Sequence, residues 1–463
     1  MRCSARIPLS PQQEWIWESM RFMHPDAPGS TRTNVCLAFT VTGPLDVARL
    51  TRSLAGVRQR HEALRTALSH IGDAPFQEIQ EAEDPHELPF QLIDISSSPP
   101  AGRRELCVLV ANAEDQRVFD FVEGPLWQVT LVRCSPEEHV LILSASHLVV
   151  DAPSAEVVVR HLAAVYSGTL LPERQQQYQD FARRAGEMPA DGEKRTAYWT
   201  HAFTPVPPPL GIPTDYPAAP PPAFLRRTIA FTSDAAPAAL AELRGRTGVT
   251  PYLIHVTAYV AALASLSRAR RIVVGSSLTR MELKPGLDVV GHFADLALLP
   301  IQVSPEHTFE QLLEHVRDTT LDVYDHQLPY LRIAEAIDPD FQDRRPWPAR
   351  ALYHVWIRGS VLTADPSSPE SFGSAEIRAF DFAREDCYTI DLDADRYAHV
   401  YGQHVVPSLY VGPTGLEGAM SYNRAVFTPQ SVRTIVDRHR DALTLLLTRP
   451  HARIGEMRND SGR

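Results

Sequence analysis

The stretch "EEHVLILSASHLVVDAPSAEVVVRHL", residues 137–162, constrains the fold more than any other. Its first half is apolar without alternation. Successive side chains on a strand point to opposite faces, so an unbroken apolar strand must be covered on both. Such a strand belongs inside a sheet flanked by other layers. The run stops at Ser146-His147, and Asp151 and Pro153 then open a helix from about Pro153 to Tyr166. Proline near the first turn and Glu156 near the positive end suit a helix start. A buried strand feeding a helix points to an α/β or α+β architecture.

The rest of the chain repeats this alternation. Residues 9–23 carry Trp15, Ile16, Met20 and Met23 at helical spacing behind Ser10-Pro11. "NVCLAFTVTGPL" reads as a strand and turn, Leu45 to His61 as an amphipathic helix, and "LWQVTLVRC" as a strand. Further on, helices are expected at Ala235–Thr247, Pro251–Arg268, Thr308–Asp325 and Pro429–Thr448. Strands are expected in "RRIVVGSSL", "HFADLALLPIQV" and "ALYHVWI". At 463 residues the chain exceeds one ordinary core, so two lobes follow. Residues 171–192 are polar, and 205–223 are proline-dense and hence irregular. The boundary is therefore placed near residue 180, giving lobes 1–180 and 181–463.

Composition excludes several functions. A formal charge of −11 argues against nucleic acid as a partner. Cys3, Cys36, Cys107, Cys134 and Cys387 are scattered and show no paired-ligand spacing, so neither a disulfide framework nor a zinc site is expected. No signal-like or membrane-length apolar run is evident, and a cytoplasmic location is expected. The sequence contains no P-loop, no GxGxxG and no HExxH, so no resident cofactor or metal is expected.

His147 with Asp151 four residues later is, alone, equally compatible with a core histidine at a strand end. An ordered series of motifs decides the reading. "LSPQQEWIWESM", "RHEALRTAL", "SHLVVDA", "YQDFA", "GIPTDYPAAPPP", "VVGHFADLALLPIQV", "YDHQLPY" and "SYNRAVFTPQSVRTI" run from about residue 9 to the closing helix. In that order they resemble the signatures of nonribosomal peptide synthetase condensation domains. The resemblance implies two chloramphenicol-acetyltransferase-like lobes in a V, with a tunnel through the join. It implies transfer of an acyl group from a carrier protein's phosphopantetheine thioester to an amine, or less often an alcohol. His147 matches the histidine that the family uses in catalysis. Ser146 and Ala152 stand where the HHxxxDG pattern has its first histidine and its glycine, and Asp295 and Leu328 depart from GxFxN and HQDxPF.

By the same resemblance Asp151 is structural and pairs with Arg280, and Ser146 and Ala152 support the site. Gly291, Phe293, Asp295, Trp356 and Ser421 are expected along the substrate tunnel. Arg65, Glu62, His61 and His292 are expected to serve packing, and Gln12-Gln13 to be packed or exposed. The DFGWG element of plant-type acyl-CoA transferases is absent. Neither a carrier-protein serine motif nor an adenylation domain is visible, so carrier partners in trans are expected. Basic stretches near Arg103 and Arg350 are the candidates to receive them. The expected reaction is amide formation with a soluble or tethered acceptor. Ester formation with an alcohol, and a non-catalytic recruitment platform, are the alternatives.

Overall fold

The computed structural model describes residues 6–23, 30–31, 34–71, 74–81, 88–173, 176–205, 210, 212, 215–216, 226–232, 237–267, 269–279, 288–338, 355–357, 371–380, 382, 405–412, 415–424 and 426–457. The chain forms two compact units. The first comprises Met1–Met188, Thr279–Ala294 and Asp365–Ala383; the second comprises Pro189–Leu278, Asp295–Ala364 and Arg384–Arg463. The first crossing falls near the expected boundary, but a single cut does not describe this chain. Residues 279–294 and 365–383 return to the first unit.

The first unit is built on a six-stranded sheet. Its centre is β1 (Asn34–Thr42) paired antiparallel with β4 (Glu138–Ser146), which pairs in turn with β3 (Trp127–Ser135). Strand β2 (Phe90–Asp94) joins β3 in parallel. On the far side, Ala375–Ala379 pairs antiparallel with β1, which brings the late segment back. Helices α2 (Val47–Arg60) and α4 (Ala152–Tyr166) cover one face. Leu141, Leu143 and Ala145 of β4 pack there with Leu50, Leu54, Val158 and Leu162. The alternate residues Val140 and Ile142 point the other way, into a cluster with Cys107 and Ala111 of α3 (Pro100–Asp115). The unalternating run is thus buried on both faces, as its composition requires. Sequence patterning had not distinguished α3. It leaves Leu109 exposed, and Arg103 at its start is half-buried, donating to the carbonyls of Ser96 and Ser98. That guanidinium organises a loop; Arg350 lies outside the described residues.

In the second unit, α8 (Pro251–Leu266) is buried almost all round, which its near-absence of charged residues dictates. Helices Phe309–Asp325 and Pro429–Thr448 pack against it. Thr250, Thr308 and Thr428 each cap one of these three helices through the side-chain oxygen. One sheet joins Arg226–Thr232, Gly415–Asn423 and Val405–Gly412 antiparallel. Another joins Ala294–Gln302, Arg271–Thr279 and Val355–Ile357. No single helix among the described residues is long and apolar enough to cross a membrane.

Candidate active site

Strand β4 ends where its side chains begin to bond their own backbone. Ser146 still pairs with Asn34, but its hydroxyl accepts from Leu148 N–H at 3.3 Å. Its carbonyl accepts from Val149 and Val150 at 3.1 and 3.2 Å. The chain turns, and Leu148, Val149 and Val150 sink into the core. Gln13 fixes the turn from outside the strand. Its side-chain amide donates to the Leu148 carbonyl and to Gln77 Oε1, both at 3.0 Å. Gln13 is itself held by reciprocal bonds with Ser10, its Oε1 accepting from Ser10 N–H and its own N–H donating to Ser10 Oγ. Gln12 and Gln13 are both buried, so the exposed alternative considered for them is corrected. Gln13 is a positioning residue that sequence reasoning missed; its signal was the Ser-x-x-Gln spacing ahead of an apolar helix. From His139 to Asp151, His147 alone is not buried.

Asp151 locks the turn to residues 291–293. Its Oδ1 accepts from Ser154 N–H at 2.9 Å and caps α4, and its Oδ2 accepts from Phe293 N–H at 2.9 Å. Its own N–H donates to the Gly291 carbonyl at 3.0 Å, and Ser154 Oγ accepts from Gly291 N–H at 3.2 Å. Asp151 therefore serves structure through two backbone donors. Arg280, its expected partner, lies outside the described residues. A Cβ on Gly291 would overlap the Tyr178 ring, so the close approach requires glycine. Tyr178 Oη in turn donates to the His292 carbonyl at 2.7 Å, and Phe293 packs edge-on against Tyr178 and Phe181.

These bonds present His292 to His147. The two Nδ1 atoms lie 3.1 Å apart with the rings perpendicular. His292 is fully buried, and burial holds its imidazole well below the ordinary histidine range, with His147 acting in the same direction. Its Nε2 has no hydrogen-bond partner among the described residues. His292 was assigned to packing from sequence. The only hint otherwise was an imidazole between glycine and phenylalanine in an apolar segment.

The structure thus gathers Ser146, His147, Asp151, Ala152, Gly291 and Phe293 at one place, with Ala152 the first residue of α4. Asp295, Trp356 and Ser421 belong to the second unit. Asp295 is buried, and its Oδ1 accepts from Leu296 and Tyr330 N–H at 2.8 and 3.2 Å, capping the helix Tyr330–Ile337. Trp356 pairs with Gly275 through the backbone, and buried Ser421 pairs with Thr228 and Val406. The helix-and-strand motif "RHEALR" is structural in detail. His61 Nε2 meets His161 Nδ1 at 2.9 Å, Arg65 donates to the Gln80 carbonyl, and Glu62 accepts from Gln179.

A family model described as "Condensation domain" matches residues 4–346. The chain belongs to the condensation-domain family. This condensation domain is 27% identical over 384 residues to surfactin synthase subunit 1 of Bacillus subtilis (strain 168), covering 81% of the chain. It spans about a tenth of that relative's length. Among solved structures, it is similar to holo-AB3403, a four-domain nonribosomal peptide synthetase bound to AMP and glycine. The TM-score is 0.79 at 17% identity, covering 98% of this chain and 34% of that one. It is also similar to the X-domain solved in complex with OxyB from teicoplanin biosynthesis, with TM-score 0.73 at 22% identity, covering 99% and 96%. The mixed α/β fold is accordingly that of condensation domains, with their two chloramphenicol-acetyltransferase-like lobes.

Proposed function

We propose that this condensation domain transfers an acyl or aminoacyl group from a carrier protein's phosphopantetheine thioester to an amine, with His147 as general base. The observation that carries the reading is the partial exposure of one imidazole in an otherwise buried, doubly anchored turn. The acceptor nitrogen attacks the thioester carbon while His147 takes its proton. The C–S bond then breaks, and the proton passes from the imidazolium to the departing thiolate. A thioester is already activated, so proton transfer and positioning are what the protein supplies. Asp151, Gly291 and Tyr178 act by holding the turn, and Arg280 is the proposed charge partner of Asp151. Carrier proteins deliver the donor.

The test is turnover of acyl-loaded carrier protein with amine and alcohol acceptors, for the native protein and His147→Ala. Amide formation falling by about 10²–10⁴-fold in the variant is expected. Unchanged turnover overturns the base assignment, and faster ester than amide formation would replace the amine with an alcohol. A second reading, a recruitment platform, is favoured by Ser146 and Ala152 in the motif and by the likeness to an X-domain solved with a partner protein. Carrier binding without turnover on any acceptor would establish it.

A further inference from the structure

We propose that His292 is a positioning residue that sets the tautomer of His147: its Nδ1 accepts a hydrogen bond from His147 Nδ1–H, which leaves the basic lone pair on His147 Nε2. The inference rests on the reading of His147 as a base and adds the means by which it is prepared.

The geometry allows two arrangements. The Nδ1 atoms are 3.1 Å apart, so one proton lies between them and one ring donates it. If His292 donated, His147 would carry its own proton on Nε2 and could not take another there. If His147 donates, Nε2 is the basic atom, and the same bond persists after His147 is protonated. Only the second arrangement carries the ring through proton uptake without exchanging the shared proton. It puts the His292 proton on buried Nε2, which has no hydrogen-bond partner among the described residues, a desolvation cost that the bond from His147 offsets. A doubly protonated His292 would set two N–H groups against each other. Burial opposes that form, since His292 is fully enclosed and held neutral.

His292 is placed for this task by its backbone. Three successive residues are fixed by three partners: Gly291 by Ser154 and Asp151, His292 by Tyr178, and Phe293 by Asp151. The carboxylate oxygens of Asp151 accept from backbone N–H groups. His292 meets His147 as a neutral group. A neutral partner fixes the tautomer without the strong rise in basicity that an anion brings.

The experiment is ¹⁵N NMR of the full chain with labelled histidine, His147 being assigned by difference with His147→Ala. The native protein is expected to show His147 protonated at Nδ1, with a coupling across the Nδ1···Nδ1 hydrogen bond. His292→Leu removes the acceptor. It is expected to move His147 toward the Nε2–H form and to lower kcat by about 10–100-fold with KM little changed, the size of loss typical when the group orienting a histidine is removed. His292→Asn supplies a side-chain carbonyl and is expected to restore most of both. His292→Asp is expected to move the acid limb of the pH–rate profile upward by about 1–3 units. Native His147 protonated on Nε2 overturns the proposal, as does a His292→Leu protein with native tautomer and pH profile. The tautomer is read without substrate. Failure of the base assignment, seen as full activity in His147→Ala, is thereby separate from failure of this inference.

Discussion

Replacing Asp151 tests the central joint of the first unit. In Asp151→Ala the N–H groups of Ser154 and Phe293 both lose their acceptor. Loss of an aspartate N-cap costs about 0.5–2 kcal/mol. A buried N–H left unpaired costs about 1–3 kcal/mol more, because Asp151 is only 2% exposed and water does not replace it. Together the loss is about 1.5–5 kcal/mol. Asp151→Asn keeps one acceptor oxygen, but its NH₂ must face the other N–H, so about half that loss is expected. Two units unfold without obligation to one midpoint. The measurement is therefore hydrogen exchange at the Phe293 and Ser154 amides. At about 1.4 kcal/mol per tenfold, exchange should accelerate roughly 10- to 4000-fold in Asp151→Ala. Equal damage from alanine and asparagine would refute this account. It would mean that the carboxylate's charge, balanced by the proposed pair with Arg280, outweighs the two backbone bonds, since an unpaired buried charge costs about 3–5 kcal/mol.

Two other outcomes follow from particular contacts. Gly291→Ala forces the Tyr178 ring away from its seat and with it the bond to the His292 carbonyl. A loss of about 1–3 kcal/mol is expected, and Gly291→Ala combined with Tyr178→Ala should recover part of it in urea unfolding; no recovery would show that the clash lies elsewhere. In the second unit, His255 Nδ1 meets His439 Nε2 at 2.9 Å in full burial. Burial lowers both imidazoles, His439 from 6.5 to about 4. The unfolded chain binds these protons first, so stability is complete above about pH 6.5 and is lost as pH falls toward 4. For His439 the loss is on the order of 3 kcal/mol. Replacing the pair by leucine and phenylalanine should flatten the slope of stability between those pH values; an unchanged slope rules the pair out as its source.

Local chemistry made much of this protein legible. The apolar run of β4, the prolines and threonines at helix starts, and the near-chargeless Pro251–Leu266 act through neighbours in sequence, so the strands and helices they announce stand within a few residues of expectation. Helix α3 escaped because its apolar residues form a continuous run, Leu106 to Ala111, behind Arg103, Arg104 and Glu105, and so show no helical period. The strand Ala375–Ala379 alternates Ala375, Ile377 and Ala379 with Glu376 and Arg378, a pattern too short to stand out in the sequence; pairing with β1 makes it a strand.

The candidate site divides in the same way. His147 and Asp151 could be picked out because their spacing and the surrounding motifs are properties of the sequence. Gln13, Gly291, Tyr178 and His292 gained their roles only in the folded chain, where residues 135, 137, 114 and 145 positions away meet at hydrogen-bond distance. Sequence determines which side chains exist and which turns they favour. Which imidazole faces which is decided by packing, because a hydrogen bond between distant segments depends on the position of both backbones and leaves no periodic trace along either.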